Sequence, residues 1–104
     1  MLDIEAINDY QEIGSEISQY QTLSEDFIRE FQDKVIWSQI SIEQILSENF
    51  IREFQNKVNW SWISYCQCLS KDFIIEFYDR IDFIYLFLND NISKEIKDFC
   101  RMFI

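Results

Sequence analysis

The chain reads as an all-α protein, a short solenoid of stacked antiparallel helix pairs with about three repeats between two terminal caps. Three observations predict this. A 23-residue unit recurs: LSEDFIREFQDKVIWSQISIEQI over 23–45 and LSENFIREFQNKVNWSWISYCQC over 46–68 agree at 16 of 23 positions. Block 69–91, LSKDFIIEFYDRIDFIYLFLNDN, keeps 8 positions of the first. A period of this length marks a supersecondary unit that buries its apolar face only by stacking on its neighbours. Each unit also opens on a serine just ahead of an amphipathic run, where a hydroxyl accepts from a free backbone N–H. Finally, the chain has no proline and a single glycine, Gly14. Sheets and tight turns rely on both residues. The 104 residues make one domain, and 48% apolar content with ten Phe, five Tyr and three Trp supplies its core.

Residues 1–22 read as a degenerate first unit serving as the N-terminal cap. Ile17-Ser18 and Gln21 match Ile40-Ser41 and Gln44, but the first half is polar and out of phase.

In block 23–45, Ser24 is the N-cap, and Glu25 and Asp26 follow where the helix dipole favours anions. Leu23 and Ile28 hold the positions of a hydrophobic staple. Phe27, Ile28, Phe31 and Val35 fall within about 100° on a helical wheel, which predicts a core-facing helix of about 12 residues. Glu25 with Arg29 and Glu30 with Lys34 are i,i+4 pairs on the opposite, solvated face. A second helix of about 8 residues follows a tight turn, with Trp37, Ile40, Ser41 and Gln44 on one face. Ile36 stands in its N-cap slot and cannot cap. The small Ser41 permits close helix approach, and Gln44 is placed to satisfy a backbone group at the next connection.

Block 46–68 repeats the start at Leu46, Ser47 and Ile51, the core face at Phe50, Ile51, Phe54 and Val58, and the second face at Trp60, Ile63, Ser64 and Gln67. Asn59 now caps the second helix, and Phe54 is expected at the centre of the core. Block 69–91 keeps Leu69, Ser70, Phe73, Ile74, Phe77 and Ile81, caps with Asp82, and sets Phe83 and Leu86 in the apolar slots. Two positions depart: Ile75 replaces Arg and Phe87 replaces Ser. Residues 92–104 form a lone first helix from Ile92-Ser93. Its Lys97 and Asp98 replace Ile and Arg, which suits the C-terminal cap.

Function is less legible. The face of the second helix turned away from the core holds Gln39 and Ile42, then Trp62 and Tyr65, then Tyr85 and Leu88 in successive blocks. These slots vary between blocks while the core slots do not, and Trp and Tyr are typical binding anchors. The expectation is a protein–protein interaction module that uses this stripe to hold a partner. The same stripe also fits burial beneath the caps or against a second copy of the chain.

Net charge is −10, and residues 1–22 carry Asp3, Glu5, Asp9, Glu12 and Glu16 with no base. Direct binding of nucleic acid or anionic lipid is disfavoured, and a basic protein surface is the electrostatic complement. This motivates an alternative, an acidic inhibitor that occupies the basic nucleic-acid groove of a host enzyme. Solubility alone also accounts for such a charge.

Enzymatic chemistry is not expected. There is no His, which removes Ser–His and Cys–His pairs, and no glycine-rich phosphate loop. Cys66, Cys68 and Cys100 are odd in number and support neither a disulfide framework nor a His/Cys zinc site. Cys66 and Cys68, two residues apart on one helix, point about 200° apart. No cofactor and no metal are expected. No apolar run approaches the ~20 residues of a membrane span, and Met1-Leu2 is followed at once by Asp3, unlike a signal peptide. A cytoplasmic setting is the expectation.

The string L-S-E-D-F-I-R-E-F-Q-D-K-V-x-W-x-x-I-S-x-x-Q resembles a helical repeat of uncharacterised proteins of giant viruses, phages and some low-GC bacteria. The resemblance covers 23–91 most strongly. It implies a helical array in a viral or mobile-element setting, and no chemistry. Small size, the −10 charge and that setting together motivate the alternative of an acidic inhibitor of anti-CRISPR type, acting in the host-cell cytoplasm.

Overall fold

Each first helix begins at its serine, as capping chemistry requires. The Oγ atoms of Ser24, Ser47, Ser70 and Ser93 accept from the backbone N–H three residues on, at 3.0, 3.1, 3.2 and 3.2 Å. In the computed structural model, which describes residues 22–104, these serines open α1 (Glu25–Glu30), α3 (Glu48–Glu53), α5 (Lys71–Glu76) and α7 (Lys94–Cys100). The second helices are α2 (Trp37–Glu43), α4 (Trp60–Cys66) and α6 (Phe83–Phe87). Asn59 and Asp82 cap α4 and α6 by accepting from Trp62 N and Tyr85 N, while Ile36 gives α2 no side-chain cap. The three blocks are thus three helix pairs, and the tail is a lone helix. Among the described residues every regular element is helical. The second helices pack in file, α2 on α4 and α4 on α6, with α7 against α6. The cap assigned to 1–22 lies, except for Thr22, outside the described residues.

The first helices of the three blocks are shorter than their apolar period predicts: 6 residues, not about 12. Each stops at its second phenylalanine. Phe31, Phe54 and Phe77 leave helical geometry at φ near −105 to −111° and ψ near 25 to 29°. The chain then makes one further turn, closed by Val35 N donating to Phe31 O at 3.1 Å, with Val58 and Ile81 doing the same at 3.0 Å. That extra i→i+4 turn keeps Val35, Val58 and Ile81 on the face that a continuous helix would give them. The freed carbonyls are taken by side chains: Gln32 Nε2 donates to Arg29 O, and Trp37 Nε1 to Gln32 O, at 3.0 and 3.1 Å. Gln55 and Trp60 repeat this arrangement. The second helices are 7, 7 and 5 residues long.

The core is the stripe read from the sequence. Ile28, Ile40, Ile51, Ile63, Ile74 and Leu86 are fully buried, as are Phe50 and Phe73, and Phe54 is buried beside them. Each such side chain withdrawn from water stabilises the fold by ~1.5–3 kcal/mol. Tryptophans carry the core across repeats. Trp37 packs on Phe50 and Phe54 at 6.2 and 5.0 Å, and Trp60 on Phe73 and Phe77 at 6.2 and 5.2 Å.

Polar side chains stitch each repeat to the next. Ser41 and Ser64 are more than small spacers. Each hydroxyl donates to the carbonyl four residues back at 2.7 Å and accepts from Asn59 N or Asp82 N of the following repeat at 3.1 and 3.0 Å. Gln67 serves the preceding connection, not the next one. Its Oε1 accepts from Leu46 N at 3.0 Å, and its Nε2 donates to Ser41 O and Gln44 O at 2.9 and 2.7 Å. In the third block Asn89, one position earlier, takes over. Its Nδ2 donates to Ser64 O and Gln67 O at 2.9 and 2.8 Å. The docking of block three therefore survives the loss of both Gln and Ser at their repeat positions.

The charged face is a ladder between repeats, where i,i+4 pairs along each helix were expected. Glu25 reaches across to accept from Ser47 N and Ser47 Oγ at 2.7 and 3.0 Å, and Glu48 does the same for Ser70 at 2.7 and 3.1 Å. Arg29 pairs with Glu53, and Arg52 with Glu76, at 2.9 and 2.8 Å. Each guanidinium also lies over the next repeat's phenylalanine, Phe50 or Phe73, at 5.4 Å. The 23-residue period explains the change, because it places each first helix beside the next, so that residues about one period apart become neighbours.

The ladder sets a pH dependence. Hydrogen bonding to Arg52 holds the Glu76 carboxyl below its ordinary value, outweighing desolvation. A lowered carboxyl contributes stability that is present above the unfolded-state value, about 4.3, and is lost as pH falls through the lower folded value. Unfolding titrations between about pH 6 and pH 3 should therefore show a loss of stability in acid that Glu76→Gln reduces. An identical acid profile in the variant would show that the pair is thermodynamically silent.

Past block three the chemistry changes in a coordinated way. Ile75 stands where Arg29 and Arg52 stood, and the position matching Glu53 and Glu76 is Phe99. Lys71 replaces the capping glutamate and lies over the Phe99 ring at 5.2 Å. Phe83 stacks on Phe103 at 4.4 Å, and Arg101 covers Phe87 at 5.5 Å. Among the described residues the last interface thus keeps apolar and cation–π contacts but lacks the ion pairs that join the earlier repeats.

Candidate functional site

The outward slots of the second helices are set by the same register that buries Ile63 and Leu86. On α4, capped by Asn59, Trp62 and Tyr65 project away from the core and are 38% and 42% exposed. On α6, capped by Asp82, Tyr85 is 44% exposed, and Leu88, just past its C-terminal end, is 52% exposed. Because α4 lies beside α6, the rings form a continuous row. Trp62 and Tyr65 have centroids 6.1 Å apart at 60°, and Tyr65 and Tyr85 lie 6.0 Å apart at 65°. Rings so steeply inclined meet edge towards face and do not stack in parallel.

A shallow cavity of about 270 Å³ opens at this row, lined by Asn59, Ser61, Trp62, Tyr65 and Tyr85. Asn59 and Ser61 are absent from the stripe read in the sequence. Asn59 carries a capping signal, and only the approach of α6 to α4 turns its neighbourhood into a cavity wall.

The other predicted stripe residues separate from this group. Gln39 and Ile42 on α2 are half-buried. Ile42 borders a different groove, which it shares with Ile45, Cys66, Cys68 and Asn91. Leu88 flanks the aromatic row without lining the cavity. Asp3, Glu5, Asp9, Glu12 and Glu16 lie outside the described residues.

The cysteines are placed differently from the sequence geometry. Helix α4 ends at Cys66, so Cys68 belongs to the connection beyond it, and the angle of one helix does not relate the two. All three thiols are free. Burial raises Cys66 above its usual value, with a smaller contribution from Glu43, and burial raises Cys100. Both therefore stay in the less reactive thiol form at neutral pH. Among the described residues no cluster of His, Cys, Asp or Glu is arranged to hold a metal ion, and no helix is long and apolar enough to cross a membrane.

No family model, curated protein or solved structure matches the chain.

Proposed function

We propose that the protein is a non-enzymatic interaction module whose binding face is the aromatic row Trp62, Tyr65 and Tyr85 on α4 and α6. One observation carries this reading: three large rings from successive repeats adjoin one another on the surface around a single cavity, while Ile63 and Leu86 on the core side of the same helices are fully buried. Tyr and Trp anchors of this kind concentrate binding energy, and an exposed apolar patch of several aromatic residues signals an interface.

The test is Trp62→Ser with Tyr65→Ser. The double variant should keep its helical content and cooperative unfolding. It should lose at least about tenfold in affinity for proteins captured by the wild type from its source cells, or lose self-association in sedimentation if the partner is a second copy. Unfolding of the variant would make these rings part of the core, and undiminished binding by a folded variant would move the interface elsewhere.

A second reading is favoured by one sequence observation, the five acids of 1–22 without a base. An inhibitor that fills a basic nucleic-acid groove would lose affinity steeply as salt rises, whereas an aromatic interface would be far less salt-sensitive.

A further inference from the structure

We infer that the aromatic cavity receives a cationic side chain, the guanidinium or ammonium of a basic segment of a partner protein. The inference rests on the reading of this row as the binding face and names what the face recognises.

The argument begins with where the bases are. All nine lie in the first-helix halves of the repeats or in the tail: Arg29, Lys34, Arg52, Lys57, Lys71, Arg80, Lys94, Lys97 and Arg101. The second-helix segments 36–45, 59–68 and 82–91 contain no base and three acids, Glu43, Asp82 and Asp90. The aromatic row is therefore mounted on helices that carry no base, in a chain whose net charge is −10. A cation arriving there meets no like charge from its own supporting helices, and the potential of the whole chain draws it in.

The rings supply the local attraction. Cations are held over the negative faces of aromatic rings, best over indole. This fold already uses that interaction wherever a base and a ring coincide: Arg29 on Phe50, Arg52 on Phe73, Lys71 on Phe99 and Arg101 on Phe87. Among the described residues no cation of the chain lies over Trp62, Tyr65 or Tyr85 in this way. The three rings are 38%, 42% and 44% exposed and keep that surface open beside a cavity of about 270 Å³, with the polar groups of Asn59 and Ser61 at its wall. Ile84 on α6 and Leu88 just past its end are exposed and offer apolar surface on the segment that carries Tyr85, for the methylene stem of Arg or Lys.

Hexa-arginine and its uncharged counterpart hexacitrulline are the probes, titrated into ¹⁵N-labelled protein. The chain has three indoles, and those of Trp37 and Trp60 are tied to Gln32 O and Gln55 O. Hexa-arginine should shift the Trp62 indole N–H signal and leave the other two in place, and hexacitrulline should leave all three. Trp62→Leu with Tyr65→Leu keeps apolar surface but removes the π faces, and should weaken hexa-arginine binding about tenfold. Tyr85→Leu, on the neighbouring helix, should weaken it as well and serves if the double variant loses its fold. Wild-type affinity in the folded leucine variants would overturn the inference, as would equal binding of hexacitrulline or a Trp62 signal that does not move. If the serine variant still loses its protein partner in that case, the binding face stands and only its preference for a cation falls.

Discussion

Phe73→Ala should cost about 3–5 kcal/mol of folding stability, the range for removing a fully buried phenylalanine. Phe73 is fully buried, with Trp60 of the preceding repeat and Phe77 of its own packed on its ring at 6.2 and 4.8 Å. Arg52 covers its face at 5.4 Å. These neighbours are themselves pinned, Trp60 by its bond to Gln55 O and Arg52 by Glu76, so they have little freedom to collapse into the space. The ring also joins blocks two and three, so its loss weakens an interface as well as a unit. In a repeat array that is where cooperativity is held. Denaturant unfolding measures the effect. Tyr78→Ala, at an exposed position, should change stability by no more than about 0.5 kcal/mol. A loss below about 1 kcal/mol at Phe73 would place its face outside the core.

Gln67→Leu should cost about 2–5 kcal/mol, because it strands buried backbone groups. Leu46 N loses its acceptor, and Ser41 O and Gln44 O lose a donor, at the buried connection between blocks one and two. Each unsatisfied buried group costs about 1–3 kcal/mol, more than an ordinary hydrogen bond contributes. Gln67→Glu is the sharper probe. It keeps an acceptor for Leu46 N but removes both donated bonds and buries a carboxylate beside two carbonyl oxygens. Its carboxyl should be raised above the ordinary value by burial. A raised carboxyl is least harmful when protonated, so the deficit relative to wild type should be largest at neutral pH and shrink as pH falls. Comparison at equal pH removes the acid loss that both proteins share through Glu76. A deficit independent of pH would mean that the glutamate reaches solvent.

Much of the fold is legible in the sequence. The serine caps, the buried Ile28, Ile51 and Ile74, the core role of Phe54 and the inability of Ile36 to cap all follow from local chemistry and a 3.6-residue period. Helix length did not follow. The turn at 31–35 preserves the wheel positions of Phe31 and Val35, so periodicity alone does not distinguish six helical residues plus a turn from one longer helix. Partners 18 to 26 residues apart were also out of reach of local reading. Glu25 satisfies Ser47, Arg29 pairs with Glu53, and Gln67 bonds to Ser41 and Gln44 only because stacking brings one repeat against the next.

The candidate site divides along the same line. The sequence by itself determined that Trp62, Tyr65 and Tyr85 fall in the outward slots of the second helices, since the face opposite a buried stripe follows from the helical repeat alone. It also determined that the second-helix segments hold no base. Only the tertiary structure decided that these three rings adjoin one another around a cavity, that Asn59 and Ser61 join its wall, and that Ile42 belongs to another groove. The reason is physical. A helical wheel fixes a side chain's direction about its own axis, whereas the distance between rings on two helices depends on how α4 and α6 pack. That packing is held in part by Ser64 and Asn89, buried side chains that are not members of the aromatic row.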